Sequence, residues 1–294
     1  MKKMLLLCMV GALVLFVGCK KTNASSTNVI GLSVSTQNNP FFVTLVEGAQ
    51  KEAAAQNCEL IVVDAGDDVV KQTSDIEDLV SRKIKVLIVN PVDSSAIAPA
   101  VADTKKAGIP VIAVDRAVIG ESVSCQIASD NVAGAKMAGE FLLSLVGEKA
   151  DIAELQGVPG ASATIDRGQG FHEAVDGKAS VVASLTANFN RVEGMSVTEN
   201  ILQGNSNIKG IFAHNDEMAL GAVEAAASAG RNIVIIGFDA TDDALAAVQE
   251  GRMAATVAQQ PAEMGKVSVQ TAVKLINGES VPESLPVIVS LIKK

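Results

Sequence analysis

The sequence predicts two similar, doubly wound parallel-sheet α/β lobes, on three observations. Short apolar, β-branched runs alternate with longer amphipathic stretches from Val29 onward, the pattern of parallel strands joined by covering helices. One strand–helix–strand segment recurs in the second half of the chain. The 294 residues also exceed the size, roughly 250, at which a single core usually stops growing.

The N-terminus reads MKKMLLLCMVGALVLFVGC, two lysines followed by an apolar run from Met4 to Val17 and then Gly18-Cys19. That is the layout of a secretory signal peptide. The run is shorter than the roughly 20 residues a membrane span needs. Phe16 to Cys19 resembles a bacterial lipobox, although Phe16 stands where such boxes usually carry Leu. The resemblance implies a signal peptide over 1–18, lipidation at Cys19 and a lipidated tether over 19–27. An ordinary signal peptide ending at a chance cysteine is the alternative. Loss of residues 1–18 removes Lys2 and Lys3 and no acid, which takes the formal charge from −9 to −11. So acidic a balance argues against a nucleic-acid partner. Cys8 leaves with the signal and Cys19 takes the lipid, so Cys58 and Cys125 remain. An exported location permits a disulfide between them, but both read as strand residues in different units, and two buried free thiols are expected.

The strand-like runs are VIGLSV (29–34), LIVVDA (60–65), VLIVN (86–90) and VIAVD (111–115), then IAELQG (152–157), VVASL (181–185), GIFAHN (210–215) and IVIIGFD (233–239). Asn39-Pro40 places a capping side chain before a proline at the first helical position. Phe42, Leu45, Val46, Ala49 and Ala53 then recur at helical spacing. Ala107-Gly108 and Ala229-Gly230 read as helix ends.

The recurring segment pairs residues 86–115 with residues 210–239. Each copy has a strand ending in Asn, a helix, an Ala-Gly stop and a strand ending in Asp. Two copies are too few for a solenoid, so they mark two related lobes. Ligands of open α/β sheets bind at the carboxyl ends of strands. Facing lobes would therefore bring Asn90, Asp115, Asn215 and Asp239 to one cleft. Arg116 adjoins Asp115, and Arg167 opens a loop at Asp166 to Gly168. Such a set suits a neutral polyol, since carboxylates accept from hydroxyls, guanidinium donates and amides do both. For any one of these aspartates, capping of the following turn is the plainer role; their paired recurrence favours a site. The chain has no Trp and no Tyr, yet Phe41, Phe42, Phe189 and Phe238 all fall at predicted strand ends or helix starts. That placement predicts an aromatic sandwich around the C–H faces of a sugar.

No metal site is expected, because His172 and His214 lack partners at ligand spacing. His214 ends a strand, and a packed or solvent-facing imidazole is the expectation there. Gly157 to Gly160 reads as a turn, and neither a phosphate loop nor a nucleophile elbow is present.

Across nearly the whole mature chain, VSTQNNPFF (34–42), VNPVD (89–93), VDRA (114–117), IASDN (127–131), ELQG (154–157), RGQGF (167–171), NDEMALGA (215–222), GFDAT (237–241) and ATVAQQP (255–261) are similar to the ribose-binding proteins of bacterial ABC importers. These have the type I periplasmic-binding-protein fold, with two lobes joined by a three-segment hinge. The resemblance implies a pyranose ring held between Phe41 and Phe189 with Phe42 and Phe238. Ser35, Asn39, Asn90, Asp115, Arg116, Arg167, Asn215, Asp239 and Gln259 would bond its oxygens. His214 stands where relatives usually carry Gln. The resemblance further implies chain crossings near Ser129-Asp130, Gln260-Pro261 and Pro286 to Val289. The lobes would then be 28–129 plus 260–287 and 130–259 plus 288–294.

The expected partners are D-ribose or a similar monosaccharide and an ABC permease in the cytoplasmic membrane, with a chemoreceptor as the alternative reader of the closed form. The expected molecule is an exported monomer that touches a membrane only through the Cys19 lipid and needs no cofactor. Allose, another monosaccharide or a furanosyl signalling molecule is the alternative ligand. A regulator of the lactose-repressor family shares the fold but would need a basic helix-turn-helix at the N-terminus. A sugar-cleaving enzyme would need a carboxylate pair such as Asp115 and Asp239, and each is more simply a hydroxyl acceptor beside arginine.

Overall fold

The computed structural model describes residues 28–294; the signal, tether and Cys19 readings lie outside the described residues. Two six-stranded sheets organise the chain. In the first, β1 (Val29–Val34), β2 (Glu59–Asp64), β3 (Val86–Val89), β4 (Val111–Val114), β5 (Cys125–Ser129) and β11 (Ser284–Val287) stand in the order β11-β5-β4-β3-β1-β2. All its pairings are parallel. In the second, β6 (Asp151–Gln156), β7 (Ser180–Thr186), β8 (Gly210–Ala213), β9 (Val234–Asp239), β10 (Ala255–Ala258) and β12 (Ser290–Lys293) stand in the order β12-β10-β9-β8-β6-β7. Here only β12 runs antiparallel. Parallel strands need crossover connections, which helices supply except between β4 and β5, joined by the helix-free segment 115–124: α1 (Pro40–Ala55), α2 (Val69–Ser81) and α3 (Ala98–Lys106) in the first lobe, α5 (Ser162–Val175), α6 (Arg191–Gly204), α7 (Asp216–Ser228) and α8 (Asp242–Glu250) in the second. The central strands are buried on both faces, which is why β3, β4 and β8 are short unbroken apolar runs.

The chain passes between the sheets three times. Between β5 and β6 it forms α4 (Asn131–Val146), whose buried residues share a core with Phe171, Phe212 and Val257 of the second lobe. After β10 it forms α9 (Pro261–Ile276), which packs on α1. The third passage is the short link from β11 to β12. The contact of α1 with α9 is close because glycine allows it: a Cβ on Gly48 would lie 2.2 Å from Ala262 O, and one on Gly265 would lie 2.0 Å from Leu45 O.

The recurring segment takes equivalent positions in both sheets, as β3–α3–β4 and β8–α7–β9. The strand-like runs do not include β5, β10, β11 or β12. Of these, β5 alternates buried and half-buried residues, while β11 and β12 are half-exposed edge strands of four residues. Such patterns carry little hydrophobic signal. Cys125 opens β5 and is buried, whereas Cys58 precedes β2 and, against expectation, is only half-buried; both are free thiols.

Candidate functional site

The carboxyl ends of both sheets face each other, and the lobes touch. Ser94 N donates to Gly160 O at 3.0 Å, Ser162 N to Ser94 Oγ at 3.0 Å, and Ala117 N to Ser162 Oγ at 2.8 Å. Between the lobes lies a small cleft, a space of about 250 Å3 that includes open solvent. A larger hollow of about 840 Å3 that includes open solvent adjoins it at Phe41, Asp239 and Gln259, forming the mouth.

The first lobe contributes Asn39, Phe41 and Phe42 from the start of α1, and Asp115 and Arg116 from the end of β4. Asn39 caps the helix, its Oδ1 accepting from Phe41 N at 2.9 Å, which fixes where both rings begin. Asp115 adopts φ 64°, a left-handed conformation that Asp tolerates better than most residues. Its Oδ2 accepts from Asn90 Nδ2 at 3.1 Å and lies 3.8 Å from Arg116 Nε. Arg116 Nη1 donates to Pro91 O at 2.9 Å, while the guanidinium lies over the Phe42 and Phe189 rings at 5.3 and 5.4 Å.

The second lobe contributes Ala163 and Arg167 of α5, Phe189 after β7, Asn215, Asp239 and Gln259; Arg167, expected to open a loop, lies inside that helix. Arg167 is held at three points: Nε donates to Asn131 Oδ1 at 2.9 Å, Nη1 donates to His214 O at 2.6 Å, and Nη1 lies 3.8 Å from Asp239 Oδ1. Asn215 caps α7 through Oδ1 and donates from Nδ2 to Phe189 O at 3.2 Å. Asp239 has φ 126°, a costly value for a residue with a side chain, and its Oδ1 accepts from Gln259 Nε2 at 2.7 Å. The Phe189 ring rests directly on Gly157, where a Cβ would come within 2.0 Å of it.

Two aspartates and two arginines, all buried, thus form a charge-balanced set. Burial pushes the carboxyl of Asp115 up from its ordinary range, while Arg116, Arg167 and Asn90 pull it back. Asp239 is pushed well up by burial and by the neighbouring Asp216, with Arg167 and Gln259 opposing. The nearby cations and donor bonds favour the ionised form of both. Arg116 Nε and Gln259 Oε1 are buried with no hydrogen-bond partner among the described residues. Buried polar atoms rarely stay unpaired, and two on one small cavity, between phenylalanine rings, suit a molecule rich in hydroxyls.

Three residues expected at the ligand are not among those that line the cavity. Phe238 is fully buried in the second core against Gly134 and Val257, with Arg167 3.9 Å above its ring. It props the guanidinium and does not line the cavity. Asn90 stands behind Asp115, with Oδ1 accepting from Ser35 N at 3.1 Å. Ser35 is likewise buried outside the cavity wall. The remaining ten residues expected at the ligand do line it. Asn131 and Ala163 were not singled out; the IASDN run held the first, but nothing in it signals a contact 36 positions away. His214 is packed, at 2.9 Å from Glu154 Oε1.

Residues 30–280 match the periplasmic binding protein domain family. The chain is 49% identical over 256 residues to the ribose import binding protein RbsB of Bacillus subtilis, covering 87% of this chain and 84% of that protein. An ABC transporter solute-binding protein of Bacillus halodurans with bound myo-inositol superposes with a TM-score of 0.87 at 33% identity, over 92% of this chain and 96% of that one. A periplasmic solute-binding protein of Actinobacillus succinogenes with bound D-allose gives 0.85 at 31%, over 91% and 98%.

Proposed function

The chain belongs to the periplasmic binding protein family, and from that premise we propose that it is the substrate-binding subunit of an ABC importer that captures D-ribose between its lobes. It binds and hands over its ligand without altering it. The observation that carries the sugar reading is the pair of aspartate–arginine sets, one from each lobe, bracketing a small cavity beside Phe41, Phe42 and Phe189. Ribose in particular rests on the likeness to the Bacillus subtilis protein. A ligand bonded to both Asp115 and Asp239 spans the lobes, so it favours the closed form over the open one. A permease reads the closed form, and a chemoreceptor is the second reader. The signal peptide and the Cys19 lipid would hold an exported monomer at a membrane, with residues 20–27 as tether.

In calorimetry, the chain lacking residues 1–27 should bind D-ribose tightly and allose or xylose much more weakly. No ribose heat at millimolar sugar, together with a clear allose titration, would move the assignment to the alternative that the Actinobacillus succinogenes neighbour favours. A thermal-shift screen of monosaccharides is the rapid companion, since a ligand raises stability with its occupancy.

A further inference from the structure

His214 is fully buried at the end of β8 and does not line the sugar cavity. Its Nδ1 lies 3.5 Å from Gly157 N, a long contact with that N–H as donor, and its Nε2 lies 2.9 Å from Glu154 Oε1. A backbone N–H can only donate. Nδ1 is therefore the acceptor, the ring proton sits on Nε2, and the imidazole is neutral against an ionised Glu154. Glu154 is fixed by further donors, Ser184 Oγ and Gln156 Nε2. Gly157 in turn is the seat of the Phe189 ring. The backbone oxygen of His214 accepts from Arg167. One residue that touches no ligand thus adjoins the supports of both an aromatic and a cationic part of the wall.

Resting on the sugar-binding reading, we propose that His214 is a positioning residue for the second lobe's ligand wall, seating Gly157 and hence Phe189 only while its imidazole is neutral, so that acid weakens sugar binding. Protonation would put a second hydrogen on Nδ1, facing the Gly157 N–H donor to donor. The peptide would have to withdraw, and the ring resting on it would move. Bound sugar needs that ring in place, so the sugar-bound protein takes up the proton less readily than the free protein. By linkage, affinity then falls as pH falls.

The charged groups facing the ring are Glu154 on β6 and Arg167 and His172 on α5. Asp216 on α7 is engaged elsewhere, by Thr241 and Thr256. Burial lowers the His214 pKa from 6.5, Glu154 opposes that, and Arg167 and His172 add to it. The depressed value places the loss on the acid side of 6.5.

The test is D-ribose calorimetry on the full chain and on His214→Gln at about pH 7.5 and about pH 5. Glutamine can accept from Gly157 and donate to Glu154 but does not titrate. The two proteins should agree within about threefold at the higher pH, and toward the lower pH the unmodified chain should weaken more than the variant. Any titration of Asp115, Asp239 or His172 is common to both proteins, so the comparison cancels it. Parallel pH profiles would overturn the proposal. Nitrogen-15 spectra of the imidazole decide it even if the variant fails to fold or ribose is not the ligand. A proton on Nε2 with bare Nδ1 supports it, and the opposite tautomer sinks it. Absence of ribose binding at either pH, with the expected tautomer, would count against the choice of sugar alone.

Discussion

Arg116→Ala probes the cavity at its most connected point. The guanidinium is buried, donates to Pro91 O, flanks Asp115 and lies between a ring from each lobe. Truncation removes a charge-assisted bond to the ligand, a term of about 1.5–3 kcal/mol, and ring contacts of about 0.5–2 kcal/mol. It also takes from Asp115 the largest charge that offsets its burial. Reorganisation recovers part of this, so the expected loss is at least about 2 kcal/mol, or roughly 30-fold in Kd. Pro91 O loses its donor as well, so the melting temperature without sugar should fall modestly. Calorimetry on the folded variant, below its melting point, separates the two effects. Arg116→Lys should lie between, because a point charge replaces a planar fork. Sugar binding within threefold of the unmodified chain, in a folded Arg116→Ala protein, would show that the cavity is not the sugar site.

Phe238→Ala distinguishes a core prop from a ligand wall: with its ring fully buried, the variant should lose about 3–5 kcal/mol of stability, seen in denaturant unfolding. A variant that keeps its stability and loses only affinity would contradict the packing described above. Ser94→Ala removes the acceptor of the Ser162 N–H across the lobes and should cost the closed form about 1 kcal/mol. Sugar Kd would then rise about fivefold, and an unchanged Kd would show that the contact adds nothing to closure.

Alternation of apolar runs and helices, the Asn39 cap and the repeated Asn-to-Asp segment were all legible in the chain, because each is a local pattern. Period-two alternation also bears on Phe238. On β9 neighbouring side chains point to opposite faces, so if Asp239 turns to the cleft, Phe238 beside it turns away. Clustering of scarce phenylalanines in sequence was a weaker guide than strand parity. Ser35 and Asn90 lie behind the lining for another reason: a polar residue at a strand end can touch the ligand or orient the residue that does, and the sequence is the same either way.

Amino-acid order by itself determined two lobes, their strand-end carboxylates and arginines, and the chemistry those groups prefer. Tertiary structure alone decided which of them face the cavity. It set Asn90 behind Asp115, Phe238 beneath Arg167, and Asn131, Glu154 and His214 around the second wall. Those contacts join residues 25 to 71 positions apart, and their geometry follows from how helices and sheets pack, which no local spacing encodes.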